Sequence, residues 1–374
     1  MTNKIEKVFR RFFSEAKTVC GSEGLYQSIF YHHARSQFEQ SQIRREEWTE
    51  GGKVDFLIED DDRIYVVELK AGANGHRNSL AKMKEVEIKG KGLQHDLAKL
   101  HSFLLRSSKP VESWLLCVDL HALGIAFIHS DLEKYSYISN SQGINFAYHS
   151  QLEDEYQTWV DGKRMAWRLE TPQCTPQADP RHVIGNERLW HDFFTEVTRD
   201  NGPECSHVGL FYHALRRSGL LHKQLASEVF FNCSRYGARQ YYVPDFAIFE
   251  KEFSGNFQLY GNNKRTVEND QFKLPVLVSV LEFKGGSAFR AKPIAQRKKE
   301  IIADVEKLVQ QIKPRIEAEA SFLSRSQQTF TPQYIMVVTD NDPRLSPCID
   351  ELNAKHKGAV SIRWQAATWH FDSQ

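Results

Sequence analysis

The sequence predicts an α/β chain made of two tandem copies of one unit, each a central mixed sheet flanked by helices. Three observations predict it. Blocks of residues recur at a constant offset, short β-branched apolar runs alternate with helical stretches in both halves, and the composition can fill real cores. The 374 residues are 41% hydrophobic and 26% charged, enough for two or three domains of ordinary size.

The repeat is direct. Phe12-Phe13-Ser14-Glu15 returns as Phe193-Phe194-Thr195-Glu196, an offset of 181 residues (12 to 193). The same offset carries Gly21 to Gly202, Glu23 to Glu204, Phe30-Tyr31-His32 to Phe211-Tyr212-His213, Arg35 to Arg216 and Glu47 to Glu228, with no gap expected. Further on the offset changes but the order of features does not. The stretch 52–58 matches 242–248, 66–72 matches 280–286, Asp96–Leu100 matches Asp304–Leu308, and 113–121 matches 333–341. The second copy carries an extra segment, 250–275, in which Phe253, Phe257 and Leu259 around two Gly-Asn pairs predict a β-hairpin insertion. Three prolines and polar filling mark a linker, so the expected domains are 1–169 and 187–374 with a linker at 170–186.

Each copy opens with apolar residues at helical spacing: Val8, Phe12, Phe13 and Ala16, then Leu189, Phe193, Phe194 and Val197. A second helix follows the Gly-x-Glu step. The runs VDFLI, RIYVVEL and SWLLCVDL, and DFAIF, VLVSVLEF and YIMVVT, read as strands. Helical stretches at 93–105 and 295–316 separate the second and third strand of each copy.

Bulk properties exclude little. With 49 Lys plus Arg against 48 Asp plus Glu the net charge is +1, so any contact with nucleic acid must come from local patches. The six cysteines form no C-x-x-C pair, which disfavours a zinc ribbon. No stretch approaches the roughly 18 apolar residues of a membrane span, and the charged start lacks the apolar core of a leader, so a cytoplasmic location is expected.

The chemistry lies at the strands. Asp55 precedes a tight turn at 60–63, after which Glu68 and Lys70 share one face of the next strand; Asp245, Glu282 and Lys284 repeat the arrangement. Two carboxylates suit a hard divalent ion, and a neighbouring lysine can orient or deprotonate a water or neutralise charge on phosphate. A lone Glu-x-Lys says little, since about one arises by chance in a chain this long, and Glu87-Ile88-Lys89 has no partner strand. A strand-end salt bridge would use the same residues. What separates the two readings is that the triads align across the duplication.

The pattern Val54-Asp55…Glu68-Leu69-Lys70 and Pro244-Asp245…Glu282-Phe283-Lys284 resembles the PD-(D/E)xK nuclease superfamily. That resemblance covers the core of both halves and departs from the pattern at Val54, where a proline would stand. It implies two restriction-endonuclease-like domains and Mg²⁺-dependent phosphodiester cleavage, with Mn²⁺ as substitute. It further implies DNA rather than RNA as substrate, in restriction, repair, recombination or phage defence, where a partner subunit of a defence system could take part. It also implies a helix glutamate at the metal, for which Glu23 and Glu204 are the candidates and Glu47 and Glu228 a second choice. Gln94 has Ile302 as its counterpart, which weakens it as a site residue, and the histidines of the Phe-Tyr-His blocks read as core edges. The basic runs after each Glu-x-Lys, with Arg77, Lys82 and Lys84, and Arg290, Lys292, Arg297 and Lys298, are expected phosphate contacts. The leading expectation is therefore an endonuclease acting as a single-chain pseudo-dimer. Its competitor is a nuclease-derived nucleic-acid or protein binding module with one or both sites silent.

Overall fold

The computed structural model describes residues 4–19, 22–49, 52–71, 93–104, 107–119, 129–151, 153–170, 178–228, 231–232, 241–242, 244–250, 277–314, 316–317 and 332–366. Among them the chain divides into two compact units, one ending at 170 and the other starting at 178. Arg77, Lys82 and Lys84 lie outside the described residues, as does all of the expected 250–275 insertion except Glu250. The chain is α/β, with mixed sheets of seven and five strands flanked by helices. Among the described residues no helix is long and apolar enough to cross a membrane.

Unit 1 begins with α1 (Lys4–Ala16), which buries Ile5, Val8, Phe9, Phe12, Phe13 and Ala16 at helical spacing. Next comes α2 (Glu23–Arg35), held to α1 by the edge-on contact of Phe12 with Phe30 at 5.6 Å. The sheet runs β1 (Ile43–Thr49), β2 (Gly52–Glu59), β3 (Ile64–Lys70), β4 (Val111–Asp119), β5 (Asn145–Ser150), β6 (Glu155–Val160) and β7 (Lys163–Arg168), each beside the next. β2 and β3 are an antiparallel hairpin closed by Asp60 N–H donating to the Arg63 carbonyl, the turn expected at 60–63. β3, β4 and β5 are parallel; α3 (Leu93–Leu104) connects the first two and α4 (His129–Ser141) the next two. The two faces of the sheet carry different cores. Leu57, Val66 and Leu115 pack with Leu97 and Leu100 of α3, while Phe56 meets Phe30 and Trp114 meets Phe9 on the α1–α2 side.

Unit 2 repeats the order. Its helices are α5 (Pro180–Gly185), α6 (Glu187–Thr198) and α7 (Glu204–Arg217). They precede β8 (Leu225–Ser227), the short pair β9 (Phe231–Asn232) and β10 (Tyr241–Tyr242), β11 (Phe246–Phe249) and β12 (Leu277–Lys284). Then come α8 (Gly286–Arg290), α9 (Ile294–Lys307), β13 (Gln333–Val338), α10 (Ser346–Lys355) and β14 (Ser361–Trp364). The sheet order is β14-β13-β12-β11-β8, with β12, β13 and β14 parallel and β11 antiparallel to both neighbours. Phe211 of α7 lies between Trp190, Phe246 and Phe283, with ring centroids 5.2, 5.6 and 5.5 Å away. Each such aromatic pair contributes on the order of 1 kcal/mol beyond area burial.

Two expectations need correction. The linker extends less far than 170–186, because 180–185 is the helix α5, with Val183 and Ile184 buried. Asp179 caps it by accepting the Arg181 N–H, and Pro180 sits in the first turn, where a missing N–H costs nothing. Nor is the 181-residue offset unbroken. α7 is one residue longer than α2, and after it the single turns 40–42 and 222–224 correspond, each closed by a glutamine (Gln42, Gln224) accepting the backbone N–H of Glu39 or Leu221 at 2.8 Å. Glu228, with φ of 51°, therefore corresponds to Glu46, with φ of 46°, and not to Glu47.

His207 of α7 is buried and shares a 2.7 Å hydrogen bond with the Thr339 hydroxyl; burial, reinforced by the Arg290 charge, pushes its pKa down from 6.5 to about 3. The unfolded chain therefore takes up this proton first. Its contribution is complete above pH 6.5 and is lost as pH falls toward 3, by up to about 1.4 kcal/mol per unit. Thermal melts at pH 7 and pH 5 test this: His207→Gln should narrow the gap between the two melting temperatures, and an unchanged gap would refute the assignment.

Candidate active site

The centre of each site is a break in a strand ladder. Backbone pairing of β2 with β3 stops at Phe56 opposite Val67, and pairing of β11 with β12 stops at Phe246 opposite Leu281. One residue beyond, the aspartate carboxylate takes over the ladder's role: Leu69 N–H donates to Asp55 Oδ2 at 2.7 Å and Phe283 N–H to Asp245 Oδ2 at 2.6 Å. The same register sets Asp55 across from Glu68 and Asp245 across from Glu282. Alternation along β3 and β12 then brings Lys70 and Lys284 to the face that carries the glutamate. The structure thus brings both expected triads together.

A helix residue pair that sequence reasoning overlooked completes each cluster. Lys99 of α3 donates to Glu68 Oε1 at 2.8 Å and to the Lys53 carbonyl at 3.0 Å, and also pairs with Asp96 Oδ1 at 2.8 Å. Lys70 contacts the same Glu68 oxygen at 2.7 Å and Asp96 Oδ2 at 3.3 Å. In unit 2, Lys307 of α9 lies 2.9 Å from Glu282 Oε1, and Lys284 lies 2.9 Å from Asp304. The signal was present as an Asp-x-x-Lys spacing common to both copies. Residues three apart share a helix face, so both side chains reach the strands together.

Glu23 and Glu204 open α2 and α7, where the helix dipole favours an acid. Glu204 Oε2 accepts the Gly285 N–H at 2.8 Å and lies 4.0 Å from Lys284. The second-choice Glu47 pairs instead with Arg44 at 3.4 Å. Ile302, the counterpart of Gln94, is exposed on α9, and the Gln94 side chain lies outside those described. Of the expected phosphate contacts, Lys292 pairs with Glu300 at 2.9 Å and Lys298 is half-buried on α9. Arg297 is buried against Asp340 and Asp342 at 2.6 and 2.9 Å, so its fork is committed to carboxylates and is not free for phosphate.

The electrostatics ask for a cation. Burial and the neighbouring Asp55 charge push Glu68 up to about 8, and burial with Glu23 pushes Asp55 up to about 6 against the pull of Lys70. In unit 2, burial and Asp245 push Glu282 up to about 8, burial raises Asp245, and burial pushes Glu204 up to about 7. Burial opposes the Lys70 charge, yet Glu68, Glu23 and Asp96 hold it well above the usual lysine range, and Lys284 is raised likewise. Asp96 stays below the usual carboxylate range because Lys70 and Lys99 outweigh its burial. Among the described residues, unit 1 gathers Asp55, Glu68, Asp96 and Glu23 about Lys70 and Lys99, and unit 2 gathers Asp245, Glu282, Asp304 and Glu204 about Lys284 and Lys307. Acids outnumber lysines in both clusters, and the buried glutamates hold their protons more tightly for it.

The residues present fit such an ion. All donors are hard oxygens, and Glu68 Oε2 is buried with no hydrogen-bond partner among the described residues. No group of three or more acidic, His or Cys residues converges as a ready cage among the described residues. Mg²⁺ does not require one, since it retains waters and is bound through one or two carboxylates plus substrate phosphate. The aspartates differ. Asp55 Oδ1 also accepts from Gln27 at 2.9 Å, and Gln27 is held by Arg45 at 3.0 Å. Val208 stands at the position of Gln27 in α7, and Asp245 Oδ1 has no hydrogen-bond partner among the described residues.

Comparison with protein families, with curated proteins and with solved structures found no match.

Gly286 has φ of +80°, and a Cβ there would stand 2.4 Å from the Glu204 backbone nitrogen. Gly286→Ala should destabilise unit 2 by about 1–3 kcal/mol, whereas Gly185→Ala, with nothing within 4 Å, should not. Urea unfolding of both variants reads the difference; equal midpoints would refute the close fit at the start of α7.

Proposed function

We propose that the chain is a Mg²⁺-dependent nuclease of the PD-(D/E)xK type, a DNA endonuclease with one site per unit. The observation that carries this is the matched geometry of the two units. Each has a ladder-breaking aspartate, a facing Glu-x-Lys and a helix Asp-x-x-Lys. Asp55 with Glu68, and Asp245 with Glu282, would hold the metal. A bound Mg²⁺ polarises a phosphoryl oxygen and lowers the pKa of a coordinated water.

The chain's own groups do the rest. The backbone N–H of Leu69 or Phe283 fixes one aspartate oxygen, so the carboxylate needs no reorganisation. Lys99 and Lys307 occupy Oε1 of the glutamate and leave Oε2 for the metal. The raised pKa of Lys70 and Lys284 supports an ammonium that donates to phosphate or water over a neutral amine that accepts a proton. Glu204 acts as a positioning residue for Gly285 and Lys284. The resemblance of the motifs supports DNA as substrate and a restriction or defence role. A second reading, binding without cutting, is favoured for unit 1 alone, because both oxygens of Asp55 are already hydrogen-bonded.

Incubation with plasmid and Mg²⁺ tests the activity. The double variant Lys70→Ala, Lys284→Ala should lose cleavage by a factor of about 100 or more, and undiminished cutting would reject the chemistry. Metal binding without turnover is read by the rise in melting temperature on adding Mn²⁺ or Ca²⁺. Asp245→Asn should remove more of that rise than Asp55→Asn; the reverse order would reverse the assignment of the better metal site.

A further inference from the structure

Unit 2 carries a second feature beside its carboxylates: a groove of about 920 Å³ at the carboxyl ends of the parallel strands β12, β13 and β14. In open α/β sheets this is where ligands collect. One wall is a stripe of α6, His191, Thr195 and Thr198, spaced four and three residues apart so that they lie on one helix face. Arg290, Arg297 and Arg344 also line the groove.

The charges at these arginines do not balance. Asp340 is taken by Arg297 at 2.6 Å, and Asp342 by Arg297 and Arg344 at 2.9 Å each. Two acids thus offset two of the three arginines. Arg290 has no carboxylate partner among the described residues and spends its fork on two carbonyls, Asp200 O at 3.2 Å and Thr339 O at 3.1 Å. A half-buried guanidinium that lacks a counter-charge attracts an anion, and its planar fork suits phosphate oxygens.

The groove starts at the metal-site strand. Thr339 N–H donates to the Lys284 carbonyl, and the short loop between α6 and α7 gives Asp200 to Arg290 at one end and Glu204 to Gly285 at the other. We infer that this groove holds the sugar-phosphate backbone of the strand being cut, with Arg290 and Arg344 contacting phosphates that flank the scissile one. The inference rests on the nuclease reading of unit 2 and adds to it a track that grips the backbone without reading sequence.

Binding of the full chain to a short fluorescein-labelled oligonucleotide lacking terminal phosphates, measured by anisotropy in Ca²⁺ across a salt series, tests the track. Arg344→Gln and Arg290→Gln should each weaken binding about 5–10-fold and lower the slope of log K against log salt by about 0.7–0.9, the value of one phosphate contact. Arg290→Lys should retain the slope. Arg344 is 67% exposed, so its variant folds whatever becomes of the Arg290 clasp. Unchanged affinity and slope in both glutamine variants, in a protein that binds and cuts, would overturn the track and leave the nuclease reading intact. Arginine-dependent binding with no cutting in Mg²⁺ would uphold the track and sink the nuclease reading. In a parallel titration with inorganic phosphate, arginine-dependent phosphate binding with oligonucleotide binding unaffected would make the groove a free-phosphate site and overturn the proposal.

Discussion

A carboxylate that substitutes for a carbonyl in a strand ladder organises both candidate sites. At Asp55 and at Asp245 two strands part, and an N–H that would otherwise go unpaired is taken by the aspartate. An unpaired buried N–H costs about 1–3 kcal/mol, so the aspartate is held in place by the same backbone it repairs. That single bond sets where the acid stands relative to the glutamate across from it. It also ties the functional group to the rigid part of the sheet and not to a loop.

Once a second buried acid faces the first, the charge problem dominates. Each glutamate is nearly inaccessible and its pKa is pushed up to about 8, yet a lysine from the crossing helix lies within 2.9 Å of it. The helix lysine and the motif lysine divide the described carboxylates between them, and the raised glutamate pKa records that the acids outnumber them. A buried ion pair is weak grounds for stability, because desolvation offsets most of the attraction.

The two units solve this problem differently. In unit 1 the chain Arg45–Gln27–Asp55 occupies the aspartate's second oxygen, which leaves that carboxylate less to offer a ligand. In unit 2 a valine stands in place of the glutamine, the aspartate's second oxygen has no partner among the described residues, and Lys307 is 36% exposed against 8% for Lys99. The two clusters share their architecture and differ in how the aspartate's second oxygen is held. The groove with Arg290 and Arg344 lies on the more open unit.

Three strands in each half, the long helices between the second and third of them, both Asp…Glu-x-Lys triads and the recurrence of residue blocks were legible in the residues, because each depends on local periodicity or on short spacing along one element. The role of Asp96, Lys99, Asp304 and Lys307 was not, although their spacing was visible. Whether a helix face meets a strand end depends on how the helix crosses the sheet, which no local pattern encodes. The same reason hid the commitment of Arg297 to Asp340 and Asp342, more than forty residues away, and the single-residue insertion that pairs Glu228 with Glu46. Pro180 read as a linker residue until its place in the first turn of α5 showed it to be a helix start. The sequence by itself determined which groups could do chemistry and on which elements they ride. Tertiary structure decided which of them share charge, because Coulombic and hydrogen-bond energies depend on distance in space and are indifferent to separation along the chain.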